Sequence, residues 1–310
     1  MAVLFSGMLA TLAALLRALR ALLGWPSPPA PAADPPRAPT APPVTKEAPV
    51  PDPAAPALPF PADRKRIIKT IVGVFETGPG AASGRPDYGA VTVLDDGAGI
   101  TFGAHQATDG GESSLDKIVA RYIDKGGALA ADLAPYVERL AANATAKAAE
   151  AGAIGATPAE VRAAGGGWVG DLMEILEEAG DSDPIMALAQ EEIFESHYWR
   201  PAAAQAAAMG LALPLSWLVC YDSTIHSGRD GISRIRAKFP EAPPSGGGDE
   251  HAWTVAYLQA RRAWLAGHSR AAVRGTVYRI DSLLDLAAGD AAAWDLAPPV
   301  AITKPRCTVM

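Results

Sequence analysis

Proline crowds residues 25–61, "WPSPPAPAADPPRAPTAPPVTKEAPVPDPAAPALPFP", which hold more than half of the chain's 28 prolines. Each proline fixes φ and lacks an N–H, so neither a helix nor a sheet ladder runs through such a stretch. The favoured backbone is extended polyproline, and the segment reads as a semi-rigid spacer. It divides the 310-residue chain into a stretch of residues 1–24 and a body of residues 62–310. A body of that length is enough for one large domain or two lobes around a cleft.

Residues 1–24, "MAVLFSGMLATLAALLRALRALLG", are an apolar helix candidate with Arg17 and Arg20 placed late. A secretory signal carries its positive charge ahead of the apolar core. The run up to Leu16 is short for a bilayer crossing, although snorkelling arginines lengthen it. Signal peptide, membrane anchor, surface-lying helix and plain packing helix all stay open, and a secreted or cell-envelope location is expected. The net charge of −7 argues against a nucleic-acid partner and for a neutral or cationic one. Two cysteines, Cys220 and Cys307, are too few for a disulfide framework. The terminal "CTVM" matches a prenylation pattern by its letters, but no polybasic stretch or second lipid signal precedes it. The five histidines lack metal-ligand spacing, so neither a metal nor a cofactor is expected. A monomer is expected.

The body is patterned mostly as helix. "DRKRIIKTIVGVF" places Ile67, Ile68, Ile71, Val72 and Phe75 on a wide apolar face. "YGAVTVLDDGAGITFG" switches to alternation and glycine turns, which predicts a short antiparallel β element. Helical runs follow in "SLDKIVARYIDKGG" and over residues 129–151 and 158–179. "DPIMALAQEEIFESHYWRPAAAQAAAMG" opens with Asp183 and Pro184 in capping positions and predicts one or two helices. "LPLSWLVCYDSTIHSG" predicts a strongly buried helix in which His226 is structural. Another helix follows with Asp249 as N-cap, then "AAVRGTVYRIDSLLDLAAG" and an irregular tail. The pattern gives an α-rich fold with one small antiparallel β element near the start of the body.

Two carboxylates stand out. Glu76 ends the first apolar helix, and twenty residues later Asp96 sits in a glycine-rich turn. Hydrolysis of a glycosidic bond needs one carboxyl to protonate the leaving oxygen and a second to activate water or attack the sugar. Poor hydration beside an apolar run penalises an ionised carboxylate, which suits Glu76 to hold a transferable proton. Asp96 in its turn stays exposed and ionised, and the nearby Thr101 hydroxyl is placed to position a water. A helix-borne acid facing a sheet-borne carboxylate is the arrangement of lysozyme-like enzymes.

These residues and several further segments resemble the chitosanases of glycoside hydrolase family 46, in the lysozyme-like superfamily. "VFETG" and "DGAGIT" are similar to the family's Glu-Asn or Glu-Thr pair after an apolar helix and to its "DGxGxT" aspartate turn. "DSDPIMALAQEEIFESHYWRPA", "YDSTIHSG", "GGDEHAWTVAYLQARRAWL" and the late "DLAPPV" follow the family's order. The resemblance spans about residues 64–299 and implies an α+β fold, mostly helical and two-lobed in the lysozyme-like manner, with the small antiparallel β element beside the catalytic cleft. It implies Glu76 as general acid, Asp96 as general base, and Thr101 as the threonine that helps hold the attacking water. It also implies a supporting network of Asp222, Arg261 and Arg279. Arginine's rigid, permanently charged fork is suited to orienting carboxylates from behind.

The resemblance weakens where the substrate is held. The family places an acidic residue ahead of the helix after the β element, against a cationic glucosamine; Ser114 stands there in this chain, with Asp109 and Glu112 nearby. The loop "FGAHQATDGGESS" is longer and brings His105, for which a backbone bond or a sugar contact are the two readings, and Gln106. Tyr88, His105, Asp109, Glu112 and Ser114 are the candidates for substrate contact. The expected activity is endo-acting, inverting cleavage of β-1,4 linkages in chitosan. A peptidoglycan-cleaving muramidase of the same fold and a non-catalytic carbohydrate-binding protein are the alternatives.

Overall fold

The computed structural model describes residues 56–94, 99–108, 114–141 and 157–310. All of these lie in the unit Pro51–Met310. The apolar stretch of residues 1–24 and residues 25–55 of the spacer lie outside the described residues, as do Asp96, Asp109 and Glu112.

The first helix, α1 (Ala62–Thr77), starts directly after Pro61, carries Asp63 in its first turn and stops at Gly78. Gly78 has φ +94° and its N–H closes onto the Val74 carbonyl at 3.0 Å, a left-handed ending that suits glycine. Ile67, Ile68, Ile71, Val72 and Phe75 are buried on one face, each contributing roughly 1.5–3 kcal/mol of apolar burial. Phe60, in the stretch expected as spacer, is also buried and stands edge-on to Trp217 with ring centres 5.2 Å apart.

The chain then forms a three-stranded antiparallel sheet of β1 (Val91–Leu94), β2 (Gly99–Phe102) and β3 (Ala107–Thr108). Thr101 pairs with Thr92 on one side and Thr108 on the other. After the sheet come α2 (Leu115–Asp124), short turns of helix from Ala130 to Ala141 and from Pro158 to Ala163, and α3 (Gly167–Ser182). The expected continuous helix over 158–179 is broken, because Gly165 turns the chain at φ +99°.

Asp183 caps α4 (Pro184–Phe194), accepting from the Ile185 N–H at 2.9 Å with Pro184 in the first turn. A π-helical turn, Glu195–Trp199, leads directly into α5 (Arg200–Ala208). Then follow α6 (Pro214–Ser227), α7 (Glu250–Ala266), whose Asp249 cap accepts from the Ala252 N–H, and α8 (Val277–Ala287).

The tail expected to be irregular is instead an antiparallel hairpin of β4 (Val300–Ile302) and β5 (Cys307–Val309). Its strands are three residues each, too short for alternation to register in the sequence. Val300, Ile302 and Val309 are nevertheless buried.

Two hydrophobic cores divide this architecture into lobes. One joins α1, α5, α6, α7, α8 and the terminal hairpin. The other packs the three-stranded sheet against α2, α3 and α4. The continuous run from α4 through the π turn to α5 passes from the second core to the first, and Tyr198 in that turn packs against both. The molecule is the mostly helical, two-lobed α+β fold that the resemblance implied.

Candidate active site

Glu76 occupies the last turn of α1 and keeps 16% of its side-chain surface exposed. A carboxylate there meets the negative end of the helix macrodipole, which disfavours it. Arg279, from the buried face of α8, offsets this by donating from Nη2 to Glu76 Oε1 at 2.7 Å. The Arg279 guanidinium also lies 5.3 Å from the centre of the Phe75 ring.

Arg279 is held from behind. It donates through Nε at 3.1 Å and Nη2 at 2.6 Å to Oδ1 of Asp222. Arg261 donates through Nη1 to Asp222 Oδ2 at 2.5 Å. Asp222 and Arg261 have no exposed surface, and Arg279 is buried as well. Burial pulls the Asp222 carboxyl upward, but the charges of Arg279 and Arg261 outweigh it and hold the group below the usual carboxylate range. Arg279 is raised above its usual value, because Asp222 and Glu76 overcome the opposing effect of burial. Asp222 stands between the two guanidiniums, so its buried charge has a partner on each carboxylate oxygen. The structure thus joins Glu76, Asp222, Arg261 and Arg279 in one network.

A cavity of about 370 Å³ opens at this end of α1, lined by Phe75, Glu76, Gly78, Tyr278, Lys304 and Pro305 with Val74. The Tyr278 hydroxyl donates to the Phe75 carbonyl at 2.9 Å and steadies the wall.

Thr101 lies in the middle of the sheet and is buried. Its hydroxyl donates to Gln106 Oε1 at 3.0 Å, while Gln106 Nε2 donates to the Gly103 carbonyl at 3.2 Å. Gln106 takes a left-handed conformation, φ 53°, to make this turn. The Thr101 hydroxyl proton is thereby committed to the β2–β3 turn.

Tyr88 and His105 line a second cavity, also about 370 Å³, together with Lys65, Lys69, Gly73 and Glu191. The Tyr88 hydroxyl donates to Glu191 Oε1 at 3.2 Å, and Lys69 donates to Glu191 Oε2 at 2.5 Å. Burial, then the Glu191 charge, raises the Tyr88 phenol above its ordinary value. His105 is buried against Phe194 with ring centres 4.7 Å apart, and its Nδ1 has no hydrogen-bond partner among the described residues. Burial lowers His105 to about 4, Glu191 pulling it up and Lys69 down. Among the described residues, Nδ1 makes no bond to backbone.

Ser114 precedes α2 and is buried; its oxygen accepts from the Tyr198 hydroxyl at 3.1 Å. The side chain is committed to the junction between the lobes. Gln190 is a residue that no pattern singled out for the site. Its amide accepts from the Ala104 N–H at 3.1 Å and donates to the Tyr88 carbonyl at 2.8 Å, tying the β2–β3 turn to the Tyr88 segment. A Cβ on Gly103, at φ +77°, would stand 2.1 Å from Gln190 Oε1, so the close approach needs glycine. The signal for Gln190 was a polar residue on the buried face of α4, in register with Met186, Ala189 and Ile193.

A family model for glycosyl hydrolase family 46 matches residues 70–299. No curated protein sequence matches the chain. Among solved structures it is similar to a family 46 chitosanase of Gynuella sunshinyii in complex with chitotetraose, at 24% identity and a TM-score of 0.61, over 80% of this chain and 97% of that one. It is also similar to the native chitosanase of Bacillus subtilis MY002, at 23% identity and a TM-score of 0.61, over 78% and 95% of the two chains. For the chitosanase OU01, co-crystallised with substrate, the values are 23% identity, a TM-score of 0.62, and 79% and 96% coverage.

Proposed function

The chain belongs to glycosyl hydrolase family 46, and from that premise we propose that this glycoside hydrolase cleaves β-1,4 linkages within chitosan by a single inverting displacement. Glu76 acts as general acid and Asp96 as general base. In this reading Asp96 takes a proton from a water as its oxygen attacks the anomeric carbon. The bond to the leaving oxygen breaks as Glu76 gives that oxygen its proton, and the configuration at the anomeric carbon inverts. Thr101 accepts a hydrogen bond from the attacking water.

The observation that carries the proposal is the fixing of Glu76 by Arg279, itself held by the buried Asp222–Arg261 pair. A general acid must meet the scissile oxygen in one geometry, and a rigid guanidinium backed by a buried carboxylate provides it. The likeness in fold to chitosanases solved with chitotetraose and with substrate supports chitosan as the polymer.

Mass spectrometry of products from soluble chitosan and from purified peptidoglycan, in parallel, tests this. Glucosamine oligomers that disappear in Glu76→Gln are expected, because the amide keeps the shape and lacks the transferable proton. Full turnover by Glu76→Gln, or muropeptides in place of glucosamine oligomers, would overturn the assignment.

A further inference from the structure

Residues 300–310 follow the last residue matched by the family model, and they form the β4–β5 hairpin. Its turn is fastened to α8, the helix that carries Tyr278 and Arg279. The Lys304 N–H donates to Ser282 Oγ at 3.0 Å, and the Ser282 hydroxyl donates to the Lys304 carbonyl at 2.9 Å. The Thr303 hydroxyl donates to Asp285 Oδ2 at 2.6 Å. At the hairpin's far end the Arg66 guanidinium donates to the Met310 carbonyl at 2.9 Å. A turn pinned in this way puts Lys304 and Pro305 in the wall of the cavity that holds Glu76.

Several charged groups surround that wall: Arg262, Arg279, Asp281, Asp285, Glu76 and Lys304. Among the described residues only Glu76 and Lys304 of these line the cavity itself. Glu76 is paired with Arg279. Lys304 has only part of a counter-charge: Asp281 lies 3.4 Å from its Nζ but 2.7 Å from Arg262 Nε, so one carboxylate serves two cations. The Lys304 side chain stays 59% exposed.

We propose that Lys304 determines specificity at this cavity: its ammonium, beside the acid of the cleavage reaction, disfavours a protonated glucosamine there and favours an uncharged, N-acetylated amino sugar. The inference rests on the reading of Glu76 as the general acid for an amino-sugar polymer. Discrimination built from a repulsive group is a common route to specificity. A like-charge repulsion between exposed groups weakens as salt rises.

The test is binding, measured by calorimetry on the full chain in a Glu76→Gln background where the sugar survives. The probes are the fully deacetylated and the fully N-acetylated β-1,4-linked glucosamine tetrasaccharides, against Lys304, Lys304→Met and Lys304→Glu. Lys304→Glu should tighten the deacetylated sugar about fivefold relative to the acetylated one, with Lys304→Met in between, and the difference should shrink at about 0.5 M salt. An unchanged ratio overturns the proposal. So does a shift of equal size at high salt, which would mean shape and not charge, or failure of both sugars to bind. Turnover of chitosan by the unsubstituted chain is measured separately. If it cleaves chitosan and the ratio stays put, only the role of Lys304 falls. If the ratio moves and chitosan is not cleaved, the proposed reaction falls and the role of Lys304 stands.

Discussion

Arg279 holds Glu76 with the same nitrogen that it presents to Asp222: Nη2 lies 2.7 Å from Glu76 Oε1 and 2.6 Å from Asp222 Oδ1. The position of an exposed-edge carboxylate is therefore set by a carboxylate in the core. Changes at Asp222 should be felt both as stability and as turnover.

Asp222→Asn should remove the charge that both buried guanidiniums share. Breaking a buried pair by deleting one partner costs about 3–5 kcal/mol. Urea denaturation at neutral pH checks this, and a loss under about 1 kcal/mol would show that the arginines find other partners.

Arg279→Lys should separate positioning from charge. An ammonium keeps the positive charge but cannot span Asp222 and Glu76 with a planar fork. The expected result is a kcat lowered about a hundredfold with KM nearly unchanged, the signature of a misplaced reacting group. A rise in KM at constant kcat would mean that Arg279 serves binding.

His105 should make stability fall on the acid side. Its folded value is lowered to about 4 by burial, whereas an unfolded histidine titrates near 6.5. Between those values the unfolded state binds the extra proton, so stability is full above about pH 6.5 and declines as pH falls toward 4. His105→Gln should flatten that part of a denaturation-versus-pH curve. Identical slopes for the two proteins would count against a buried neutral ring.

Ser114→Asp should destabilise the protein and not create a docking point for an amine. Ser114 is buried and bonded to Tyr198, and a carboxylate set there lacks a cationic partner among its described contacts. The cost should be about 2 kcal/mol or more at pH 7 and smaller near pH 4, where the new group takes up a proton. The melting-point difference between the variant and the unsubstituted chain at the two pH values reads this, and a difference that does not change with pH would contradict it.

Much of this was readable one residue at a time. The apolar stripe of α1 and its glycine stop put Glu76 at a helix end, because a 3.6-residue period and a left-handed terminus leave local marks. The alternation of "AVTVL" and "GITFG" marked the sheet that carries Thr101 for the same reason. Asp183 and Asp249 announced their helices as caps. Arg279, by contrast, is one of the chain's many arginines, and nothing near it in sequence shows that it spans 203 residues to Glu76.

The sequence by itself marked most of the helices and the three-stranded sheet, and it set Glu76 at a helix end, since propensity, periodicity and capping act over a few residues. Tertiary structure decided the rest. It placed Ser114 in the junction between lobes and left His105 Nδ1 buried without a partner among the described residues. It also carried Lys304 from a short terminal hairpin to the wall beside Glu76. Burial and ion pairing are properties of what packs against a side chain, and those neighbours come from distant parts of the chain.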